Sequence, residues 1–356
     1  MVGGMSEHVT EAAEILLPAP DFAATLAFFR SQLGFRLDMI RPADEPSIAV
    51  LSGHGVHLRL DRSWSGSAGA VRLTVAGLDQ ADELAAPNGT RIVRVPATDL
   101  ELPPLAPAFV LQRAVDEAEW TQGRAGMRYR ELLPDRQGGR FVASVIRIEQ
   151  DGQVDDWVHW HRIRFQLIFV LRGRVRVVYE DQGPPFWLDA GDCVLQPSGI
   201  RHRVLESSGG LEVLELSSPA VHDTFADHEL ELPTATLDAQ REFDGQRFVR
   251  HLHRAAAWQP AREPGFEQLD TDVASATKGL ASVRVLRRTE GSIGAASSHE
   301  RELAFGYVRA GSGSLAVGGQ SYPVGPGDAF QIPAGVSAGF TETSTDLDLV
   351  VVELPA

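Results

Sequence analysis

The order of landmarks along residues 107–218 recurs along residues 246–354, and this repeat limits the possible folds more than any other feature. In the first copy Ala108-Phe109-Val110, Trp120 and Gly126 lead to GRFVASVIRI at 139–148. In the second, Arg247-Phe248-Val249, Trp258 and Gly265 lead to KGLASVRVLR at 278–287. Both copies continue through a histidine-containing segment and a β-rich run to a glycine (Gly173, Gly311). A Gly-Asp turn follows (Gly191-Asp192, Gly327-Asp328), then a Pro-x-Gly turn (Pro197-Ser198-Gly199, Pro333-Ala334-Gly335). A period of about 110–140 residues is too long for a solenoid unit and marks a duplicated domain.

Within each copy the pattern is one of short strands. FVASVIRI, FQLIFVL, VRVVYE, CVLQ and LEVLEL are rich in β-branched and aromatic residues and are broken by Gly, Pro and Asp, with no amphipathic helix between them. Such a series closes into a sandwich or barrel. The reading gives one barrel to 107–221 and a second to 246–356. The polar stretch 222–245 is the connection.

Residues 12–106 read differently, after a tail at 1–11. EILLPA is a strand, and PDFAATLAFFRSQLGF is a helix with Asp21 as N-cap, Phe22, Leu26, Phe29 and Leu33 on one face, and Gly34 at the C-terminus. FRLDMIR, SIAVLS and VHLRL follow as strands, giving a βαβββ unit. VRLTVAGLDQADELAAPNGTRIVRV is expected to add a weaker strand–helix–strand.

Bulk properties narrow the function. A net charge of −15 argues against nucleic acid and anionic lipid as partners. The lone Cys193 excludes an intramolecular disulfide and a cysteine-rich zinc site. The N-terminus has no basic region leading into an apolar run, and no apolar stretch is long enough to span a bilayer. The expectation is a soluble cytoplasmic protein acting on a small molecule, with a homodimer left open.

His159 and His161 are two apart in a segment that reads as β, so both imidazoles aim at one face. Gln166 follows on the next strand, and His202 lies downstream of the Gly-Asp turn. These two stretches resemble the paired motifs of the cupin superfamily. The first is His-x-His, a short spacer, an acidic residue, six residues and Gly. The second is Gly, five to seven residues, and Pro-x-Gly-x-x-His. The resemblance covers both repeats. It implies two tandem cupin (double-stranded β-helix, jelly-roll) barrels, a bicupin, with one divalent metal held by His159, His161, Gln166 and His202. Gln166 departs from the usual glutamate, and a three-histidine, one-glutamine set is known within the family. The same alignment puts Ser297, His299, Ala304 and Ala338 at the four positions of the second barrel, which is therefore expected to hold no metal. The segment LLPAPDFAATLAFFRSQLGFRLD with VHLRL resembles the vicinal oxygen chelate (glyoxalase-like) family. Its ligand positions fall near Glu14, Arg72 and His57, an incomplete set, so that domain is expected to be non-catalytic.

Imidazole suits Fe, Zn, Mn, Ni or Cu. The resemblance points first to iron and a dioxygenase. A non-redox isomerase, lyase or cyclase is the alternative, and a non-catalytic small-ligand-binding bicupin is a third reading. Phe169, Tyr179 and Trp187 are the expected aromatic walls of a substrate pocket. Cys193, in the Gly-Asp turn, is expected to be a buried filler.

Overall fold

The computed structural model describes residues 12–97, 100–114, 120–123 and 126–356. The chain divides into two compact units, 1–99 and 100–356.

In the N-terminal unit, strand Ile15–Pro18 runs parallel to Val56–Asp61, and Ile48–Gly53 and Arg36–Arg41 complete a four-stranded sheet. Helix Phe22–Ser31 is capped by Asp21, whose Oδ1 accepts from the Ala24 amide at 3.1 Å. It buries Phe22, Thr25, Phe28 and Phe29 against that sheet's core. The second half departs from expectation, because no helix forms in VAGLDQADELAA. Residues Asp82–Ala85 are instead a strand antiparallel to Arg91–Pro96, which runs parallel to Ala70–Val75. The Asn88-Gly89 turn decides this: the Ala86 amide donates to the Thr90 carbonyl and Gly89 takes φ +86°, a hairpin geometry that a helix cannot enter.

In the larger unit each copy of the repeat is a pair of facing sheets. The first barrel sets a seven-stranded sheet, including Phe165–Arg172, Leu211–Ser218 and Val142–Ile148, against a second sheet containing Arg174–Tyr179, His202–Ser207 and His159–His161. The second barrel repeats the plan with Leu303–Ala310, Asp348–Leu354 and Ser282–Arg288 facing Gly313–Val317 and its neighbours.

The large sheets are apolar on both faces. Along Phe165–Arg172, Phe165, Leu167 and Phe169 point into a core shared with Val283, Leu303, Phe305 and Val352 of the other barrel. Ile168 and Val170 belong to the interior of their own barrel. Two-sided burial explains why LIFVL, residues 167–171, is continuously hydrophobic rather than alternating. Each such side chain contributes roughly 1.5–3 kcal/mol. The seam also carries the buried Glu302, which accepts from Arg164 at 2.8 Å and from Arg140.

Strand pairing crosses the division that the repeat suggests. Strand Val110–Gln112 adds to Ala329–Gln331 of the second barrel, and Val249–His251 adds to Cys193–Leu195 of the first. The aspartate of each Gly-Asp turn secures the exchange. Asp192 uses one oxygen on its own turn (Asp189 amide, 2.9 Å) and the other on the incoming strand (His253 amide, 2.8 Å). Asp328 does the same with Gly325 at 3.0 Å and Ala114 at 2.7 Å.

Candidate metal centre

His159 pairs directly with His202 across the antiparallel strands, so two of the three imidazoles are brought together by sheet register alone. His161 shares the face of His159, two residues on. The rings lie 4.3 Å (His159–His202), 5.2 Å (His159–His161) and 5.3 Å (His161–His202) apart by centroid. All three are buried, and each offers a ligand atom within 4.8 Å of the others'.

Their outer nitrogens are held. His159 Nδ1 donates to the Trp157 carbonyl at 2.8 Å and His202 Nδ1 to the Ile200 carbonyl at 3.0 Å. A carbonyl can only accept, so the ring lone pair of each sits on Nε2. His161 Nδ1 meets Thr224 Oγ1 at 2.9 Å. The buried Asp156 carboxylate lies 3.8 Å from His159 Nδ1 and also accepts from the Val204 amide.

Gln166 enters the same cavity from strand Phe165–Arg172 and is 3% exposed. Its amide Nε2 donates to Glu215 Oε1 at 2.7 Å, and a carboxylate fixes which end of the amide it meets. That leaves Oε1 buried with no hydrogen-bond partner. Three oriented imidazoles and one orphaned carbonyl oxygen fit a divalent cation, because such an oxygen costs free energy unless a cation or donor satisfies it.

The cavity has a volume of about 240 Å³. Its walls away from the histidines are apolar: Met127, Ile146, Ile148, Val177, Leu211 and Val213. Tyr179 lines it, and burial together with the Asp156 charge raises its phenol pKa and keeps it protonated. Phe169 and Trp187 do not line it. Phe169 is odd where Gln166 and Ile168 are even, so it faces the inter-barrel core. Trp187 is opposite in parity to the lining Leu188 and lies under the Arg174 guanidinium at 4.1 Å.

Three cavity groups went unread in the sequence. Glu215 sits in LEVLEL, three residues after Glu212 and so on the opposite face of the strand. Thr224 and His222 belong to the segment taken as a connection, but Thr224–Ala226 is a strand paired with His159–His161. His222 lines the cavity with its ring 5.3 Å from that of His161. Cys193 is fully buried, and burial pushes its thiol pKa up.

In the second barrel Ser297 bridges to Ala338 just as His159 pairs with His202. Ser297, His299, Ala304 and Ala338 all line one cavity. In the N-terminal unit Glu14 accepts from Arg59 at 3.2 Å, His57 is exposed, and neither joins a metal-ligating cluster among the described residues.

Residues 146–216 and 286–354 each match the family model described as Cupin domain. The two matched segments fall one in each copy of the repeat. The chain superposes on the formate complex of oxalate decarboxylase from Lactobacillus farciminis with a TM-score of 0.51, at 14% identity over 66% of this chain and 83% of that one. It also superposes on a protein from Pseudomonas aeruginosa described as glyoxylate-induced, with a TM-score of 0.52 at 11% identity over 71% and 92%. Salicylate 1,2-dioxygenase from Pseudaminobacter salicylatoxidans gives 0.47 at 17% identity over 60% and 71%, too distant to carry an argument. At these identities the likeness is one of fold. No curated protein matches the chain in sequence. Among the described residues no helix is long and apolar enough to cross a membrane.

Proposed function

We propose that the first barrel holds one divalent transition metal on His159, His161, Gln166 and His202, and that the loaded bicupin is an enzyme acting on a small oxygenated organic molecule. The observation that carries this reading is the buried, unpartnered Oε1 of Gln166 in a cavity with three imidazoles whose outer nitrogens are already held. Bound there, a divalent metal supplies a Lewis acid and, as iron, a redox centre for dioxygen.

The chain's own residues supply the rest. Apolar walls bind the carbon skeleton and exclude water. Glu215 and His222 stand on the cavity as groups able to hold or move a proton at the substrate, and the protonated Tyr179 lies among the apolar walls. Iron and dioxygenation are the first reading. The neutral donor set also suits an anionic substrate without redox chemistry, which supports an isomerase, lyase or cyclase using Zn, Mn or Ni as the second. The N-terminal unit is read as a non-catalytic, vicinal-oxygen-chelate-like module, supported by its strand–helix–three-strand order.

Protein purified without added metal should carry about one transition metal per chain. The iron form should then consume oxygen with a member of a panel of diketones, phenols and hydroxy acids. Anaerobic turnover by the zinc form at the same rate would replace the dioxygenase with the non-redox reading. Absence of bound metal would end both.

A further inference from the structure

The second barrel has lost its ligands without filling the space. Ser297, Ala304 and Ala338 stand where the first barrel has His159, Gln166 and His202, and its cavity is about 460 Å³ against about 240 Å³. A barrel kept only as scaffold would close over such a volume with larger side chains, since interiors pack to high density.

What the sequence adds instead is aromatic wall. Phe266, Phe330 and Phe340 occupy the register positions of Met127, Val194 and Val204. Phe330 and Phe340 meet edge to face at 6.2 Å, with Phe266 6.3 Å from Phe340. Gly306, at the position of Ile168, admits the Phe330 ring, where a Cβ would come within 2.3 Å of it.

One end of this cavity is charged. Arg262 and Arg301 line it together with Glu263 and Glu353, and the buried Arg284, which does not line it, pairs with both glutamates. Arg284 is committed to Glu263, through two contacts of 2.9 and 3.0 Å, and to Glu353. Arg301 approaches Glu353 through Nε at 3.4 Å, and its guanidinium makes no hydrogen bond among the described residues. Beside it, His299 Nδ1 accepts from the Arg301 amide at 3.0 Å, so the neutral ring carries its proton on Nε2. That Nε2 is buried and makes no hydrogen bond of ordinary geometry, with the Ile332 carbonyl close to the ring. Burial and the neighbouring Arg301 lower the histidine's pKa and keep the ring neutral. The cavity thus presents an aromatic box ending in donors with hydrogen-bonding capacity to spare.

We propose that the second barrel is a metal-free binding site for a small aromatic carboxylate, its ring among Phe266, Phe330 and Phe340 and its carboxylate on Arg301 and His299. The site stands apart from the reading of the first barrel and does not depend on it.

Benzoate titrated into the full chain after metal removal by chelator tests this, followed by calorimetry and saturation-transfer NMR. One site per chain is expected. Benzyl alcohol, with the ring but no charge, and acetate, with the charge but no ring, should each bind at least about tenfold more weakly. Arg301→Gln should cost about tenfold or more. Ala338→Phe, which fills the cavity, should abolish binding, and His161→Ala should leave it unchanged. Should Ala338→Phe fail a thermal-melt test of folding, Ser297→Leu fills the same space and decides. Failure of benzoate to bind, wild-type affinity in Arg301→Gln, or binding that survives the fillers yet vanishes in His161→Ala would each overturn the assignment.

Discussion

Gln166 sits between a prospective cation on one side and a carboxylate on the other, which makes its neutrality consequential. Gln166→Glu would restore the commoner family residue and so reads as harmless from sequence. The structure changes that expectation, because the new carboxylate would face Glu215 at the present 2.7 Å. In the metal-free protein Gln166→Glu should lower Tm by roughly 2–4 °C, and adding Glu215→Gln should recover it; equal melts for the single and double variants would contradict the pairing. Metal content separates the two barrels: His161→Ala should lose the ion and His299→Ala should keep it, by elemental analysis. Glu263 supplies a pH test. Burial works against its charge, but the Arg284 hydrogen bonds win and hold its pKa near 2, down from 4.5. A depressed carboxyl stabilises the fold above its unfolded pKa and loses that contribution as pH falls through the folded value. Glu263→Gln should therefore melt lower than wild type at neutral pH, by on the order of 2–4 °C, with the gap closing between pH 4.5 and 2. The histidines were legible because two residues apart on a strand means one face. Glu215, by contrast, could be found only by counting parity along LEVLEL from a strand whose inward face was already known.

At the scale of elements, the short strand Thr224–Ala226 has a larger role than its length suggests. It borders His159–His161 and supplies the hydroxyl that meets His161 Nδ1. Thr224→Val keeps the β-branched shape and removes that contact. Metal affinity should fall roughly 10–100-fold in a chelator competition, while the melting temperature stays close to wild type. Unchanged affinity would reduce the strand to packing. Three residues give too little alternation to read as a strand, so the segment passed for a connection. The helix expected in the second half of the N-terminal unit failed for the opposite reason. A run of apolar and acidic residues suggested helical periodicity, but the Asn-Gly turn behind it imposed a hairpin. The longer strands were legible throughout, since β-branched runs ended by Gly-Asp and Pro-x-Gly turns leave few alternatives.

For the molecule as a whole, the repeat made the duplication visible, but the exchange of strands was not, because Val110–Gln112 finds its partner at Ala329–Gln331, on the far side of the first barrel's sequence. A chain beginning at Leu100 should fold and bind metal as the full protein does. One beginning at Trp120 should melt lower by several degrees, having bared the edge Ala329–Gln331 and left Asp328 without the Ala114 amide. Equal melts would show that the exchanged strand is an ornament. The exchange also bears on inheritance. A substitution that strips an imidazole from the second barrel removes no strand, whereas a deletion of that barrel removes the Val249–His251 edge from its neighbour along with the apolar face that covers Phe165, Leu167 and Phe169. Duplicated halves bound in this way cannot be shed one at a time. A half without the ligand set still serves as a foundation for the other, which leaves its interior free to change.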